Sequence, residues 1–123
     1  MQKVETNRAP SAIGPYSQAI IYNGIVYTSG QIALKPNGDF LNGDISEQTE
    51  QVLKNLSEVL KEAGSSLDNI IKTTIYLVDM GDFSEVNSVY GNYFKNHKPA
   101  RSTIAVKELP KGALIEIEAI AKI

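Results

Sequence analysis

The segment that decides the fold is Leu114-Ile115-Glu116-Ile117-Glu118-Ala119-Ile120, close to the C-terminus. Successive side chains of a strand point to opposite faces, and the odd-numbered positions here are all apolar, so they predict one face packed against a core. The other face places Glu116 and Glu118 beside two large aliphatic side chains. An ionised group on such a face needs a partner or water. We therefore predict a strand that borders a cavity or a subunit boundary.

Arg101, which begins the preceding strand in Pro99-Ala100-Arg101-Ser102-Thr103-Ile104, is the nearest fixed cation in the sequence. A guanidinium group matches a carboxylate through two parallel hydrogen bonds. We expect Arg101 and Glu116 to share a protected face, and they are the first candidates for functional residues. The alternative is a structural ion pair between the two.

The composition narrows the classes of function. The 123 residues fit one domain, which we expect to span residues 1–123. The absence of cysteine excludes disulfides, thiolate nucleophiles, cysteine-ligated zinc and iron–sulfur clusters. With 12 basic and 14 acidic residues the net charge is −2, which argues against nucleic acid as a partner. The N-terminus has no apolar signal segment and no apolar run is long enough for a membrane span, so we expect a cytoplasmic protein without membrane contact.

Patterns for metal and cofactor binding are missing from the sequence. His97 is the only histidine, and we predict that it is a solvent-exposed loop residue, because one histidine without cysteine cannot supply the usual ligands of catalytic zinc. The glycine-rich patterns that bind nucleotides and the Gly-x-Ser-x-Gly turn of serine hydrolases are also absent. We therefore expect neither a metal nor a cofactor.

The first half of the chain predicts a hairpin followed by a helix. Asn23-Gly24 separates the apolar runs 19–22 and 25–28, and both central residues of a type I′ turn need positive φ. Ser46 is placed to act as the N-cap of the helix, and Gly64 to end it. Between them, apolar residues recur at steps of three and four, which predicts an amphipathic helix that packs on a core.

The second half predicts a strand and a second helix. Asp82 with Glu85 is an N-terminal capping pattern, and the helix should end near Asn96, ahead of Pro99. The preceding run, residues 70–78, is dense in β-branched and aromatic residues and predicts a central strand. Its expected buried face consists of Ile71, Thr73, Ile75 and Leu77.

Together these elements predict an α+β domain with both helices on one face of a mixed sheet. The other sheet face is then bare. It mixes apolar and polar groups, including Thr74, Tyr76, Glu116 and Glu118. A homo-oligomer in which the sheets of several copies face one another would explain this composition.

Two sites in the first third of the chain allow two interpretations each. Residues 7–17 carry two prolines and a Gly-Pro pair, so they predict an ordered loop, and Tyr16 near its end is either an aromatic plug over the core or a ligand contact. In Ser29-Gly30-Gln31-Ile32, the glycine either brings its backbone amide close to a ligand or only marks a bulge. The sequence leaves both choices open.

The chemical groups that remain are a carboxylate, an arginine, hydroxyls and backbone amides. This set suits an enzyme that grips a small carboxylate with Arg101 while Glu116 positions or deprotonates a water. The aliphatic neighbours of Glu116 can raise its proton affinity, which helps a base that must later return the proton.

Several separated blocks of this sequence carry a family resemblance, and they cover essentially the whole chain. They are Ala9-Pro10-x-Ala12-Ile13-Gly14-Pro15-Tyr16-Ser17-Gln18-Ala19, Thr28-Ser29-Gly30-Gln31-Ile32, Asp82-Phe83-x-x-Val86-Asn87-x-x-Tyr90, Pro99-Ala100-Arg101-Ser102-x-Ile104, Leu109-Pro110-Lys111 and Ile115-Glu116-Ile117-Glu118-Ala119-Ile120-Ala121. In this order they resemble the reactive-intermediate deaminases, the RidA/YjgF/YER057c/UK114 family.

The resemblance implies a chorismate-mutase-like fold with six strands and two helices, which assembles as a homotrimer around a central barrel. It also implies three clefts between subunits that hydrolyse 2-imino acids or their enamine tautomers, such as 2-iminobutanoate and 2-iminopropanoate, to 2-oxo acids and ammonia. Pyridoxal-phosphate-dependent dehydratases release such intermediates, so the implied metabolic link is to those enzymes.

The resemblance further implies a role for individual residues. Arg101 matches the carboxylate clamp, and Glu116 matches the residue that holds the attacking water. The remaining cleft wall matches Tyr16, Ser29, Gly30, Asn87 and Thr103, the last mainly through its backbone. Many bacterial members have cysteine at the position of Thr103, and attack by water organised by Glu116 needs no thiol.

Two other functions remain open. The same cleft could sense a small 2-oxo acid without turnover, in a regulatory protein. Some relatives are described as translation inhibitors with ribonuclease activity. The acidic balance of this chain and its lack of a histidine pair count against RNA cleavage.

Overall fold

Strand β6, Ile115–Lys122, lies inside a six-stranded sheet. The computed structural model describes residues 1–123. The other strands are β1 (Gln2–Val4), β2 (Ala19–Tyr22), β3 (Ile25–Thr28), β4 (Ile70–Leu77) and β5 (Ala100–Ala105). Their order in space is β1-β2-β3-β6-β4-β5, with β4 and β5 parallel and every other pair antiparallel. The expected mixed sheet of six strands is confirmed.

Two helices, α1 (Ile45–Glu62) and α2 (Phe83–Tyr93), build one core with the sheet. The alternation of β6 is as predicted, since its odd-numbered residues from Ile115 to Ala121 are buried and the even-numbered residues from Glu116 to Ile120 are half-buried. The buried residues of both helices join the odd-numbered face in a single apolar cluster. Neither helix combines the length and the hydrophobicity that crossing a bilayer requires.

The hairpin forms as predicted, but the start of α1 differs. Asn23 and Gly24 have φ of 52° and 75°, as a type I′ turn demands. The N-cap is Asp44 and not Ser46: the Asp44 carboxylate accepts from the amide of Glu47 at 2.9 Å, while the Asp44 amide donates to Glu47 Oε1 at 3.1 Å. This reciprocal pair satisfies two amides at once, so it places the cap two residues earlier than Ser46. Gly64, with φ of 83°, follows the helix as predicted.

The predicted cap of α2 is wrong. Asp82 is the residue before the helix, but its side chain makes no capping hydrogen bond. Its backbone is already helical, with φ −81° and ψ −4°, because a 3-10 turn runs directly into α2. The side chain that binds a free amide is instead Asp79, which accepts from Gly81 at 2.9 Å. The helix also ends at Tyr93, three residues before Asn96.

One residue of β4, Ile71, lies on the opposite face of the sheet from the face that we predicted. Thr73, Ile75 and Leu77 are buried as expected, whereas Ile71 is 47% exposed. The pairing of β4 with β6 shifts register between Ile70 and Lys72. This bulge rotates the start of the strand, so that Ile70 takes the buried position.

The second face of the sheet has no helix over it. Half-buried or exposed side chains from four strands share this open face: Ile20, Tyr27, Thr74, Tyr76, Glu116, Glu118 and Ile120. It combines aliphatic and aromatic groups with two carboxylates. This is the bare face that the sequence predicted.

Candidate active site

A cavity of about 620 Å³ lies beside Glu116. Its wall includes Tyr16 from the loop 7–17, Ser29 and Gly30 after β3, and Lys111 from the turn before β6. Tyr16 is 52% exposed, so it does not plug the core and stands at the cavity instead. Four of the predicted site residues, Tyr16, Ser29, Gly30 and Glu116, are therefore brought together by the fold.

Gly30 is required by the close approach of Glu116. A Cβ at this position would lie 2.5 Å from Oε2 and 2.9 Å from Cγ of Glu116. Its backbone amide makes no hydrogen bond within the chain, whereas the neighbouring amides of Ser29 and Gln31 do. Of the two interpretations left open by the sequence, the geometry favours a glycine whose amide is available at the cavity.

The Glu116 carboxylate is half-buried and forms no ion pair. Burial raises its pKa above the ordinary value, and the charge of Glu118 on the same face raises it further. Glu118 is itself held by Tyr76, whose hydroxyl donates to Glu118 Oε1 at 3.1 Å. A carboxylate whose proton affinity is raised in this way is suited to accept and return a proton.

Arg101 is held by the side of α2 that presents Phe83, Asn87 and Tyr90. Its Nη1 donates to Asn87 Oδ1 at 2.7 Å, and its guanidinium carbon lies 5.2 Å and 5.1 Å from the ring centres of Phe83 and Tyr90. No carboxylate pairs with it. The aromatic rings and the amide orient the guanidinium and leave it donors for an anion. A second cavity of about 410 Å³ lies here, with Asn87 and Arg101 in its wall.

Arg101 and Glu116 lie on opposite faces of the sheet. Arg101 is paired with Thr73, whose hydroxyl is buried under α2 at 2.7 Å from the hydroxyl of Tyr90. Glu116 is paired with Tyr76 on the open face. Residues 73 and 76 are an odd number of positions apart, so they and their partners point to opposite sides. The expectation that Arg101 and Glu116 share one face is wrong, and the ion pair between them is not formed.

Thr103 lies on the Arg101 side of β5, two residues along the strand. Its Oγ1 is buried and has no hydrogen-bond partner in the chain. Within one chain, Thr103 therefore belongs with Arg101 and Asn87 and not with the cavity beside Glu116. The predicted site is divided into two clusters.

His97 lies in the loop after α2 as predicted, but the expectation that it is solvent-exposed is wrong. The residue is half-buried, and its Nε2 is hydrogen-bonded to the backbone carbonyl of Ile70. It ties the loop after α2 to the start of β4. The carbonyl that it binds could not be identified from the sequence, because it lies 27 residues away in the chain.

Gln18 and Lys111 are among the residues of the Glu116 cavity for which the sequence predicted no role. Gln18 is 2% exposed and contributes to the cavity wall. Lys111 has a left-handed backbone with φ 58°, which is uncommon for a residue other than glycine. Both fall in blocks that carry the family resemblance, and that was the only signal available for them.

Comparison with known proteins identifies the family. The family model described as Endoribonuclease L-PSP matches residues 6–123. The chain belongs to this family, the RidA/YjgF family. A human member, 2-iminobutanoate/2-iminopropanoate deaminase, is 48% identical over 119 residues, which are 96% of this chain and 87% of the human protein.

Two solved structures show the same fold. The Rid family protein YyfA from Yersinia pestis superposes with a TM-score of 0.97 at 55% identity, and the match covers 99% of this chain and 98% of that one. TdcF from E. coli, solved with bound serine, gives a TM-score of 0.95 at 40% identity over 100% of this chain and 99% of its own. The α+β fold expected from the resemblance is therefore confirmed.

Proposed function

We propose that this chain is an imine deaminase that hydrolyses 2-imino acids, such as 2-iminobutanoate and 2-iminopropanoate, to 2-oxo acids and ammonia. The observation that carries the proposal is the presence of an unneutralised arginine and a half-buried, unneutralised carboxylate, each in the wall of a cavity, in a member of the RidA/YjgF family. The human relative at 48% identity bears the name of this activity. The substrate carries one carboxylate and one C=N bond, and the two side chains match these groups.

The proposed reaction begins with the protonated imine. Arg101 holds the substrate carboxylate, and Glu116 accepts a proton from a water while the water oxygen bonds to C2 and the C=N bond becomes single. Glu116 then returns that proton to nitrogen. The C–N bond breaks as the carbonyl forms, and the hydroxyl proton leaves with ammonia as ammonium. The reaction involves no oxidation or reduction. Because burial and Glu118 raise the proton affinity of Glu116, this carboxylate is suited both to accept the proton from water and to return it to nitrogen.

We further propose that each site is assembled from two copies of the chain. The opposite orientations of Arg101 and Glu116 prevent one copy from placing both on the same substrate. A homotrimer in which open sheet faces form a central barrel would bring the Arg101 edge of one copy to the Glu116 cavity of the next. The open face, with its aliphatic and aromatic side chains, supports such an assembly.

The proposal is tested by coupling the protein to a pyridoxal-phosphate-dependent threonine dehydratase and following 2-oxobutanoate. Wild-type protein should accelerate its formation over the spontaneous hydrolysis of the imine. Arg101→Ala and Glu116→Gln should each lose at least about 100-fold in kcat/KM, because each removes a group that contacts the reacting molecule. Lys54→Ala and Glu62→Gln are the controls, since both residues are exposed on α1 and line neither cavity.

One result would contradict the proposed site, and another would contradict the proposed activity. Unchanged acceleration by Arg101→Ala would contradict the proposed site, in which Arg101 holds the substrate carboxylate. Tight binding of 2-oxobutanoate without turnover would favour the sensing protein. Because the family description names an endoribonuclease, RNA should be incubated in parallel, and RNA cleavage that disappears in Glu116→Gln would favour that activity instead.

A further inference from the structure

The loop of residues 7–17 is closed by one buried side chain. Gln18, which is 2% exposed, joins the two ends of the loop through its amide. Its Oε1 accepts from the amide of Thr6 at 2.7 Å, and its Nε2 donates to the carbonyls of Thr6 at 3.0 Å and Pro10 at 2.8 Å. These three bonds use one acceptor site and both donors of the side chain. The Gln18 side chain thus provides the loop with backbone hydrogen bonds of the kind that a neighbouring strand would otherwise provide.

The loop is fixed on its other side by Ser29. The Ser29 hydroxyl donates to the carbonyl of Ser17 at 2.6 Å, and the Ser29 amide donates to the carbonyl of Gln18 at 2.9 Å. Between Pro10 and Ser17, the only backbone hydrogen bond is the local one from Tyr16 to Gly14. Residues 11–16, which we call the arc, are therefore held mainly at their two ends, where Gln18 and Ser29 act as anchors.

The arc forms one wall of the Glu116 cavity. Ile13 and Tyr16 both contribute to that wall, and they are 74% and 52% exposed. Neither can be held in place by burial, because most of their surface has no packing partner in the chain. Their position over the cavity depends on the anchors at the two ends of the arc.

We propose that Gln18 is a positioning residue that holds Tyr16 and Ile13 over the Glu116 cavity. The inference rests on the proposed function. Gln18 does not contact the reacting atoms, and it acts by closing the loop that forms the wall for the substrate side chain. Releasing the loop leaves Glu116 on β6 and Arg101 on β5, so substrate binding should weaken while the chemical step is retained.

The chemistry of the position allows informative substitutions. Gln18→Met keeps the length of the side chain and removes all three hydrogen bonds. Gln18→Glu keeps the shape but replaces the two donors by a carboxylate that would face two carbonyl oxygens, so it should release the loop as well. Gln51→Met is the matched control, because Gln51 is a half-buried glutamine that donates to Asn55 within α1.

The experiment combines hydrogen exchange with steady-state kinetics. In both Gln18 variants, the amides of residues 7–17 should exchange at least about tenfold faster, while those of β6 stay protected. The KM for 2-iminobutanoate should rise about tenfold with kcat changed by less than about threefold, a split that general loss of folded protein would not produce. Gln51→Met should show neither effect.

The outcomes separate the inference from the proposed function. Unchanged exchange in residues 7–17, or a fall in kcat with KM unchanged, would overturn the role of Gln18. If the wild-type protein has no deaminase activity, the proposed function fails, and the exchange result with a 2-oxobutanoate binding titration still decides whether Gln18 holds the cavity wall. If Gln18→Met does not fold, Gln18→Glu provides the same comparison.

Discussion

Gly30 shows how a single missing carbon atom can define a site. The Glu116 side chain occupies the space that a Cβ at residue 30 would need, with three of its atoms within 2.9 Å of that position. The constraint is one of space, because only a residue without a side chain lets the carboxylate lie against the backbone.

Replacing Gly30 by alanine should therefore displace Glu116. We expect Gly30→Ala to lower kcat/KM by at least about tenfold with little change in the free energy of unfolding, because the flexible end of the Glu116 side chain can move away into the cavity. Steady-state kinetics and urea unfolding measure the two effects. Gly91→Ala serves as the stability control, because nothing lies within 4 Å of a Cβ there and α2 should gain a fraction of a kcal/mol. Full activity in Gly30→Ala would contradict the proposed role of Glu116.

The raised pKa of Glu116 also predicts how its removal changes stability with pH. Burial and Glu118 disfavour the ionised form in the folded protein, so the charge lowers stability at every pH above the folded pKa. Glu116→Gln should thus increase the free energy of unfolding at neutral pH. The gain should shrink as the pH falls through the raised folded pKa, and it should vanish below the ordinary value of the unfolded chain. Urea unfolding at a series of pH values measures it, and a gain that grows on acidification would contradict the assignment.

The sequence predicts functional roles for Arg101 and Glu116, but the expectation that the two share one face of the sheet is wrong. Alternation placed Glu116 correctly on the open face of β6. The face of Arg101 depends on the parallel pairing of β5 with β4 and on the contacts of its guanidinium with α2. Those contacts join distant parts of the chain, and periodicity within one strand carries no information about them.

At the scale of single elements, the start of α1 depends on a reciprocal pair of hydrogen bonds. Asp44 and Glu47 each bind the amide of the other. Asp44→Ala should reduce the free energy of unfolding by about 1 kcal/mol, the usual cost of a lost cap, whereas Ser46→Ala should cost less. Chemical denaturation measures both. The opposite ranking would restore Ser46 as the cap.

The elements themselves were largely predictable, and the errors occurred at their ends. The hairpin, both helices and β4 follow from local patterns that the structure confirms. The bulge at Ile70 and the 3-10 turn before α2 follow from the pairing of β4 with β6 and from the geometry of the connecting turn. Residues 7–17 could be identified as an ordered loop from their prolines, but the amide of Gln18 that closes the loop could not.

At the scale of the whole molecule, the division of the candidate site predicts complementation between inactive chains. Arg101→Ala and Glu116→Gln chains, unfolded together in equal amounts and refolded, should regain about one quarter of the wild-type activity. Random trimers contain both kinds of chain in about three cases of four, and each such trimer has one intact site of three. Either variant refolded alone should remain inactive. A mixture without activity would place the site within one chain or remove the trimer.

The place of β6 in the sheet also constrains how the protein is made. β6 follows the other five strands in the sequence, and it lies between β3 and β4, joining the β1–β2–β3 part of the sheet to the β4–β5 pair. During synthesis, the β1–β2–β3 half and the β4–β5 half of the sheet are therefore made before the strand that joins them. Only β6 can connect these half-sheets. Pairing over such distances in sequence makes folding slow, and the half-sheets expose strand edges until it occurs. Because Glu116 lies on β6, the proposed base is in place only when the six-stranded sheet is complete.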